Sequence, residues 1–195
     1  MLLDKLKNYR IFLASKSPRR QMLLQSAGIN FATTRIETDE SFPEELKAEE
    51  IPVYLSQKKA DAVNIALDDK TIIITADTIV WFNNRVVNKP RDRSEAIRTL
   101  KILSGKCHKV YTGVTIKSKN KEVSFFGESK VFFRILKSDE ITYYVDTCKP
   151  YDKAGAYGIQ EWIGYIGIKK VKGSFYNVMG LPISKLYKEL DAFIM

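Results

Sequence analysis

Apolar positions along the chain follow two periods, and segments of each kind alternate. Arg10 to Ser15 (RIFLAS) reads as a short buried strand. Ser17-Pro18 then signals a helix start, with serine as cap and proline as the first helical residue. Met22, Leu23, Leu24 and Ala27 give that helix its apolar face, and Gly28 stops it. Asn30 to Ile36 reads as a second strand. Pro52 opens a longer helix in which Ile51, Tyr54, Leu55, Ala62, Ile65 and Ala66 recur at helical spacing, and only Lys58 breaks the stripe. Thr71 to Ala76 (TIIITA) is rich in β-branched residues and predicts a central strand, which Thr78 to Phe82 continues in extended form. Asn83-Asn84 fits a hairpin turn, because asparagine tolerates positive φ. Arg85 to Asn88 is then the return strand.

Asp92 to Leu103 predicts a helix, with Ala96, Ile97, Leu100 and Leu103 on one side and Gly105 just beyond its end. Val110 to Lys117 and Glu122 to Leu136 alternate as long antiparallel strands around Lys119-Asn120. Ser138 is expected to cap a short helix through Val145, and Thr147 to Gly158 reads as loop. Tyr165 to Val171 is predicted as a strand. Pro182 starts a last helix with Leu186, Leu190 and Phe193 inward. Strands interleaved with helices predict an α/β domain built on a mixed sheet. No repeat or linker divides residues 1–195, so a single domain is expected.

Composition narrows the class. Hydrophobic residues are 45% and charged residues 28% of the 195, enough to bury a core, so a disordered chain is excluded. The longest apolar-looking run, Thr71 to Phe82, is interrupted by Asp77 and is too short to span a membrane as a helix. Met1 to Arg10 has no long apolar segment, so a secretory signal is not expected. Cys107 and Cys148 are the only cysteines and form no C-x-x-C pair; a reducing, cytoplasmic setting fits. His108 is the only histidine, which speaks against a zinc site and a serine–histidine triad; it reads as a hydrogen-bonded structural residue. Lys and Arg (32) outnumber Asp and Glu (23), a net charge of +9 that favours anionic partners.

Three segments carry candidate chemistry. In Ser15-Lys16-Ser17-Pro18-Arg19-Arg20, two arginines sit in the first turn of a helix, the end that already carries partial positive charge. An anion bound there reverses the sign of that cost. The N–H groups of Arg19, Arg20 and Gln21, two guanidinium forks and the Ser15 and Ser17 hydroxyls could together grip a phosphate chain. The other reading is a plain Ser-Pro cap with solvated arginines. Asp77 interrupts a run otherwise expected to be buried, so its carboxylate needs a partner: a metal ion, a lysine or an activated water. The alternative is an aspartate capping a turn. Lys89 returns toward Asp77 through the Asn83-Asn84 hairpin. A two-residue turn places it opposite Thr78, on the face away from Asp77, whereas a one-residue bulge places it opposite Asp77. In Asp152-Lys153-Ala154-Gly155-Ala156-Tyr157-Gly158-Ile159-Gln160, small residues allow close approach of a ligand. Gln160 offers the donor and acceptor that match a uracil or thymine edge. It can equally be a surface glutamine on a structural turn. Glu40, in an acidic loop, and Lys59, on the Pro52 helix, are weaker candidates with solvated alternatives.

Taken together, the segments S-K-S-P-R-R (Ser15 to Arg20), A-D-T (Ala76 to Thr78), K-P-R-D (Lys89 to Asp92), L-S-G-K-C-H-K-V-Y-T-G-V (Leu103 to Val114), D-K-A-G-A-Y-G-I-Q (Asp152 to Gln160) and G-S-F-Y-N-V-M-G-L-P (Gly173 to Pro182) resemble the Maf family of nucleoside triphosphate pyrophosphatases. The resemblance implies an elongated α/β fold of two lobes around a twisted mixed sheet with a central cleft, related to the inosine triphosphate pyrophosphatases. It implies a cytoplasmic homodimer using a divalent cation, magnesium or alternatively manganese, with no nucleic-acid or membrane partner. The implied reaction converts a nucleoside triphosphate and water to the monophosphate and pyrophosphate. One subgroup takes dTTP and UTP, another a methylated guanosine triphosphate. The double arginine and the Asp152 to Gln160 loop resemble the first.

By position, Asp77 matches the family's catalytic aspartate, and Arg19, Thr78 and Gln160 its specificity positions. Arg20, Lys59, Lys89 and Glu40 match other cleft residues. On this reading Ser15, Ser17, Arg19, Arg20, Lys59 and Lys89 hold phosphates, and Glu40 and Asp77 are metal ligands. Two departures flank the loop: Lys149-Pro150 stands where the family often has Glu-Pro, and Glu161-Trp162 follows Gln160 where a glycine is usual. A nucleotide-binding regulator of cell division with little hydrolysis is the alternative function. A basic nucleic-acid binder is disfavoured because no groove-reading motif and no interleaving of aromatic and basic residues is present.

Overall fold

The structure is a computed structural model and describes residues 1–195. In chain order its elements are α1 (Leu2–Leu6), β1 (Arg10–Leu13), α2 (Pro18–Ser26), β2 (Ala32–Thr33), α3 (Glu50–Asp61), β3 (Thr71–Phe82), β4 (Arg85–Val87), α4 (Arg93–Leu103), β5 (Cys107–Lys117), β6 (Glu122–Phe133), α5 (Ser138–Cys148), a 3-10 turn (Ala154–Ala156), α6 (Trp162–Gly167), β7 (Ile168–Gly173), α7 (Phe175–Met179) and α8 (Ile183–Phe193). No helix is long and apolar enough to cross a membrane.

The strands form one mixed sheet of seven, in the order β2-β1-β3-β5-β6-β7, with β4 also paired to β3. β1 runs parallel to β2 and β3, and every other pairing is antiparallel. The edge strand β7 carries Lys169, Lys170 and Lys172, charges that discourage pairing with another chain. A main core fills one face of β3 with Ala76 and Val80, joined by Leu24, Leu100, Val114 and Leu186. The opposite face carries a smaller cluster of Ile51, Leu55, Ile79 and Tyr111 beneath α3. Because successive side chains of a strand point to opposite faces, β3 belongs to both cores at once.

Three features of the sheet create a cleft. β1 pairs with Thr71 to Ile74, and its last contact is Ala14 N–H to the Ile74 carbonyl at 2.9 Å. β4 pairs on the same side of β3 only from Val80 onward. Between these two neighbours the edge of β3 has no strand beside it, and by alternation the backbone groups of Ala76 and Thr78 face the gap. The third feature is glycine. Gly113 lies opposite Asp77 in the β3–β5 ladder. A Cβ there would stand 2.2 Å from the Pro52 carbonyl carbon and oxygen, so only glycine lets α3 settle onto the sheet.

The structure departs from the sequence expectations at several elements. The second strand is only Ala32–Thr33, because its single neighbour β1 offers just two residues of pairing. α3 ends at Asp61, so Ile65 and Ala66 lie outside it. The turn at Asp68, which accepts from Lys70 N–H (3.1 Å) and the Thr71 hydroxyl (2.6 Å), instead delivers the chain into β3. β6 stops at Phe133, and Arg134 bonds the backbone of α6. Ser138 is the first residue of α5, with Lys137 at the cap, since Glu140 reaches back to Lys137 N–H at 2.8 Å. The predicted strand from Tyr165 splits into α6 and β7. The predicted loop from Thr147 begins inside α5 and contains the 3-10 turn. The short helices α1 and α7 have no counterpart in the sequence reading.

Candidate active site

The gap in β3 is the floor of a cavity of about 850 Å³. All the site candidates named from sequence line it: Ser15, Ser17, Arg19, Arg20, Glu40, Lys59, Asp77, Thr78, Lys89 and Gln160. They come from the β1–α2 turn and the first turn of α2, the loop before α3, α3 itself (Lys59), β3 (Asp77 and Thr78), the segment after the β3–β4 hairpin (Lys89) and the loop from Asp152 to Gln160.

Asp77 is buried, on the α3 face of β3, and its carboxylate accepts from the Lys59 ammonium. Of the partners open to it from sequence, the structure supplies the lysine. Lys59 also contacts Glu40 Oε1 at 3.1 Å, and Lys89 contacts Glu40 Oε2 at 3.3 Å. Burial works to raise the Glu40 carboxyl, but Lys59 and Lys89 outweigh it and hold its pKa below the ordinary value. The acidic loop is fastened a second time by Lys58, whose ammonium reaches the Asp39 carboxylate and the Ser41 carbonyl (3.1 Å). The lysine that breaks the apolar stripe of α3 therefore ties down the loop that carries Glu40.

The hairpin register is that of a two-residue turn. Phe82 pairs with Arg85, and Asn83 and Asn84 have φ of 50° and 57°, as a turn matching the twist of the strands requires. The ladder ends at Val87, and Lys89 beyond it turns to Glu40 rather than to Asp77.

Thr78 faces the opposite side of β3 from Asp77. Its Oγ1 accepts from Arg20 Nη2 at 3.0 Å and lies 3.0 Å from the Thr112 hydroxyl, which donates in turn to the Asn177 carbonyl (3.0 Å). Arg20 also donates to the Gly180 carbonyl (2.8 Å) and the Ser15 hydroxyl (3.3 Å). Its burial lowers its pKa, and Asp77 offsets part of that; the guanidinium stays charged.

Ser17 caps α2, its hydroxyl accepting from Arg20 N–H at 3.5 Å, while the Ser17 carbonyl accepts from Gln21 N–H at 3.2 Å. Of the three N–H groups expected to meet an anion, these bonds leave that of Arg19. The first turn thus contributes mainly its side chains and its dipole.

Arg19 Nη1 contacts Asp152 Oδ2 at 3.1 Å, and Lys153 Nζ contacts Asp152 Oδ1 at 2.7 Å. Burial works to raise the Asp152 carboxyl, but Lys153 and then Arg19 prevail and lower its pKa. Gln160 points into the cleft wall with its Oε1 buried and without a hydrogen-bond partner. His108 Nε2 lies 2.8 Å from the Tyr157 hydroxyl behind that wall, a structural placement as expected. Asp152, Lys153, Thr112 and the Gly180 carbonyl were not singled out from sequence. The first two lie in the Asp152 to Gln160 segment and Gly180 in the segment before Pro182, so their motifs marked the neighbourhood without giving the contacts.

Residues 10–193 match the family described as Maf-like protein. The chain is 52% identical over 193 residues to a dTTP/UTP pyrophosphatase of Parabacteroides distasonis, covering 98% of this chain and all of that one. It is 50% identical over 190 residues to a dTTP/UTP pyrophosphatase of Bacteroides thetaiotaomicron, covering 97% of this chain and 98% of that one. Among solved structures it resembles the Staphylococcus aureus Ham1 protein, with a TM-score of 0.50 at 13% identity over 94% of this chain and 98% of that one. That likeness bears on the fold.

Proposed function

The chain belongs to the Maf family, and from that membership we propose that it is a nucleoside triphosphate pyrophosphatase acting on dTTP and UTP. Water adds to the α-phosphorus, the bond to the β-bridging oxygen breaks, and nucleoside monophosphate and pyrophosphate leave. A buried carboxylate, Asp77, at an unpaired strand edge among cationic groups carries this reading.

Arg19, Arg20, Lys59 and Lys89, with the Ser15 and Ser17 turn and the N-terminus of α2, receive the triphosphate. Arg19, Lys59 and Lys89 each hold a carboxylate: Asp152 for Arg19, Asp77 and Glu40 for Lys59, and Glu40 for Lys89. Phosphate oxygens replace those partners. The exchange frees Asp77 to orient the attacking water and take its proton, while the cations neutralise charge on the leaving pyrophosphate.

Asp77 and Glu40 gather around one ammonium, and no third acidic, thiol or imidazole side chain joins them. That donor set suits a divalent cation brought in on the phosphates, magnesium or manganese, held by one or two carboxylates. Such a cation supplies charge neutralisation on the phosphate oxygens. The unpartnered Gln160 Oε1 supports base reading, since it accepts from pyrimidine N3–H while the amide group donates to O4.

The test is pyrophosphate release from UTP with magnesium, by the natural protein and by Asp77→Asn. The natural protein releases it, and the variant loses about three orders of magnitude in turnover with unchanged thermal unfolding. Near-normal turnover removes Asp77 from its place, and no release by the natural protein leaves a nucleotide-binding regulator instead.

A further inference from the structure

After Lys59–Asp77, the most enclosed ion pair in the molecule joins Lys153 and Glu161. Nζ and Oε1 are 2.9 Å apart, with side chains 10% and 22% exposed. Glu161 occupies the cap position of α6, yet its side chain makes no capping bond to that helix. Its carboxylate turns instead to Lys153 and to the Tyr144 hydroxyl, which donates to Oε2. The same hydroxyl accepts from Gly158 N–H at 3.0 Å. A Cβ on Gly158 would lie 2.7 Å from the Glu161 carboxyl carbon, so the glycine makes room for this seat.

These contacts enclose a four-residue turn. Glu161 N–H donates to the Gly158 carbonyl at 3.0 Å, which makes Gln160 the third residue of that turn. Tyr144 holds its first residue, and Tyr144 with Lys153 holds its last. Lys153 then continues to Asp152 (2.7 Å) and Asp152 to Arg19 (3.1 Å). A chain of charged contacts therefore runs from Glu161, the neighbour of Gln160, to Arg19. An enclosed ion pair adds little net stability, but its geometry is fixed, which suits it to setting a register.

We infer that Glu161 and Lys153 are positioning residues for base selection: their ion pair fixes the Gly158–Glu161 turn, and with it the Gln160 carboxamide, relative to the Arg19 phosphate clamp. This rests on the reading of Gln160 given above. UTP and CTP are the discriminating pair, because they have the same size and opposite donor–acceptor patterns at the edge Gln160 meets.

The experiment measures kcat and KM for UTP and CTP in the natural protein, Glu161→Gln, Lys153→Met, the double variant and Gln160→Ala. Glu161→Gln keeps the shape and a bond to Tyr144 but removes the charge facing Lys153. We expect it to reduce the UTP-over-CTP ratio of kcat/KM about tenfold, mainly through KM for UTP. Lys153→Met produces the same fall, and the double variant adds nothing further, as partners in one interaction require. Parallel losses on UTP and CTP, or an unchanged ratio in Glu161→Gln, overturn the inference. If Gln160→Ala also leaves the ratio unchanged, the Gln160 reading has failed and takes this one with it. If Gln160→Ala lowers the ratio and Glu161→Gln does not, only the positioning has failed. Should Lys153→Met not fold, Tyr144→Phe replaces it, removing the hydroxyl that joins Gly158 to Glu161; the ratio must fall there too.

Discussion

Arg19, Lys59 and Lys89 each hold a carboxylate where a phosphate oxygen is expected to arrive. These pairs offset repulsion among the like charges of the cleft, and they set the cations in place for an anion that competes better. His108 shows the opposite strategy of burial without charge. It is 2% exposed, stacked on Phe133, and its Nδ1 has no partner. Desolvation lowers its pKa from 6.5 to about 4. Between those values the unfolded chain binds the proton and the folded chain does not, so stability rises with pH across that window. The contribution is complete above the unfolded pKa and lost as pH falls toward the folded one. Urea unfolding should show about 2 kcal/mol lost from His108 between pH 7.5 and 5. That slope should be absent in His108→Gln. Equal slopes in both proteins would mean that the imidazole is not kept neutral by burial.

At the level of elements, α3 matters most, because it delivers Lys59 to Asp77 and Lys58 to the acidic loop. Its approach depends on Gly113, whose φ is ordinary, so adding a methyl there acts by volume alone. Gly113→Ala should destabilise by about 2 kcal/mol through overpacking and lower kcat for UTP as Lys59 shifts. Denaturant midpoints and turnover check both, and a variant as stable and active as the natural protein would place α3 elsewhere. The long elements were legible in the sequence because period and caps agreed: Ser17-Pro18 at α2, the β-branched run of β3, the Asn83-Asn84 turn. The short ones were not. α6 has glycines at two of six positions, poor helix formers, and they are there for packing. A Cβ on Gly164 would meet the Ile159 carbonyl oxygen at 1.9 Å, and one on Gly167 the Leu136 side chain at 2.9 Å. α7 lasts five residues and owes its place to Asn177, which donates to the Val110 carbonyl and Ser129 hydroxyl, both at 3.1 Å. The site divides the same way. The candidates named from separate segments line one cavity, whereas the contacts that Lys58, Thr112 and Glu161 make run to partners distant in sequence, which no local pattern encodes.

On the scale of the whole molecule, one strand organises everything. β3 presents Ala76 and Val80 to the large core and Ile79 to the small one, and it leaves its edge open between β1 and β4. The cleft opens at that gap, lined by the acidic loop and Lys59 of α3 as well as by the Asp152 to Gln160 loop. The net charge of +9 attracts a polyanion to the molecule from a distance. The most direct test is a crystal structure with a uridine triphosphate analogue whose α–β bridging oxygen is replaced by an NH group. The expected density shows phosphates against Arg19, Arg20 and Lys59, the α-phosphorus facing Asp77 and the uracil edge on Gln160. An analogue bound outside the cleft, or reversed with its base at the start of α2, would contradict it.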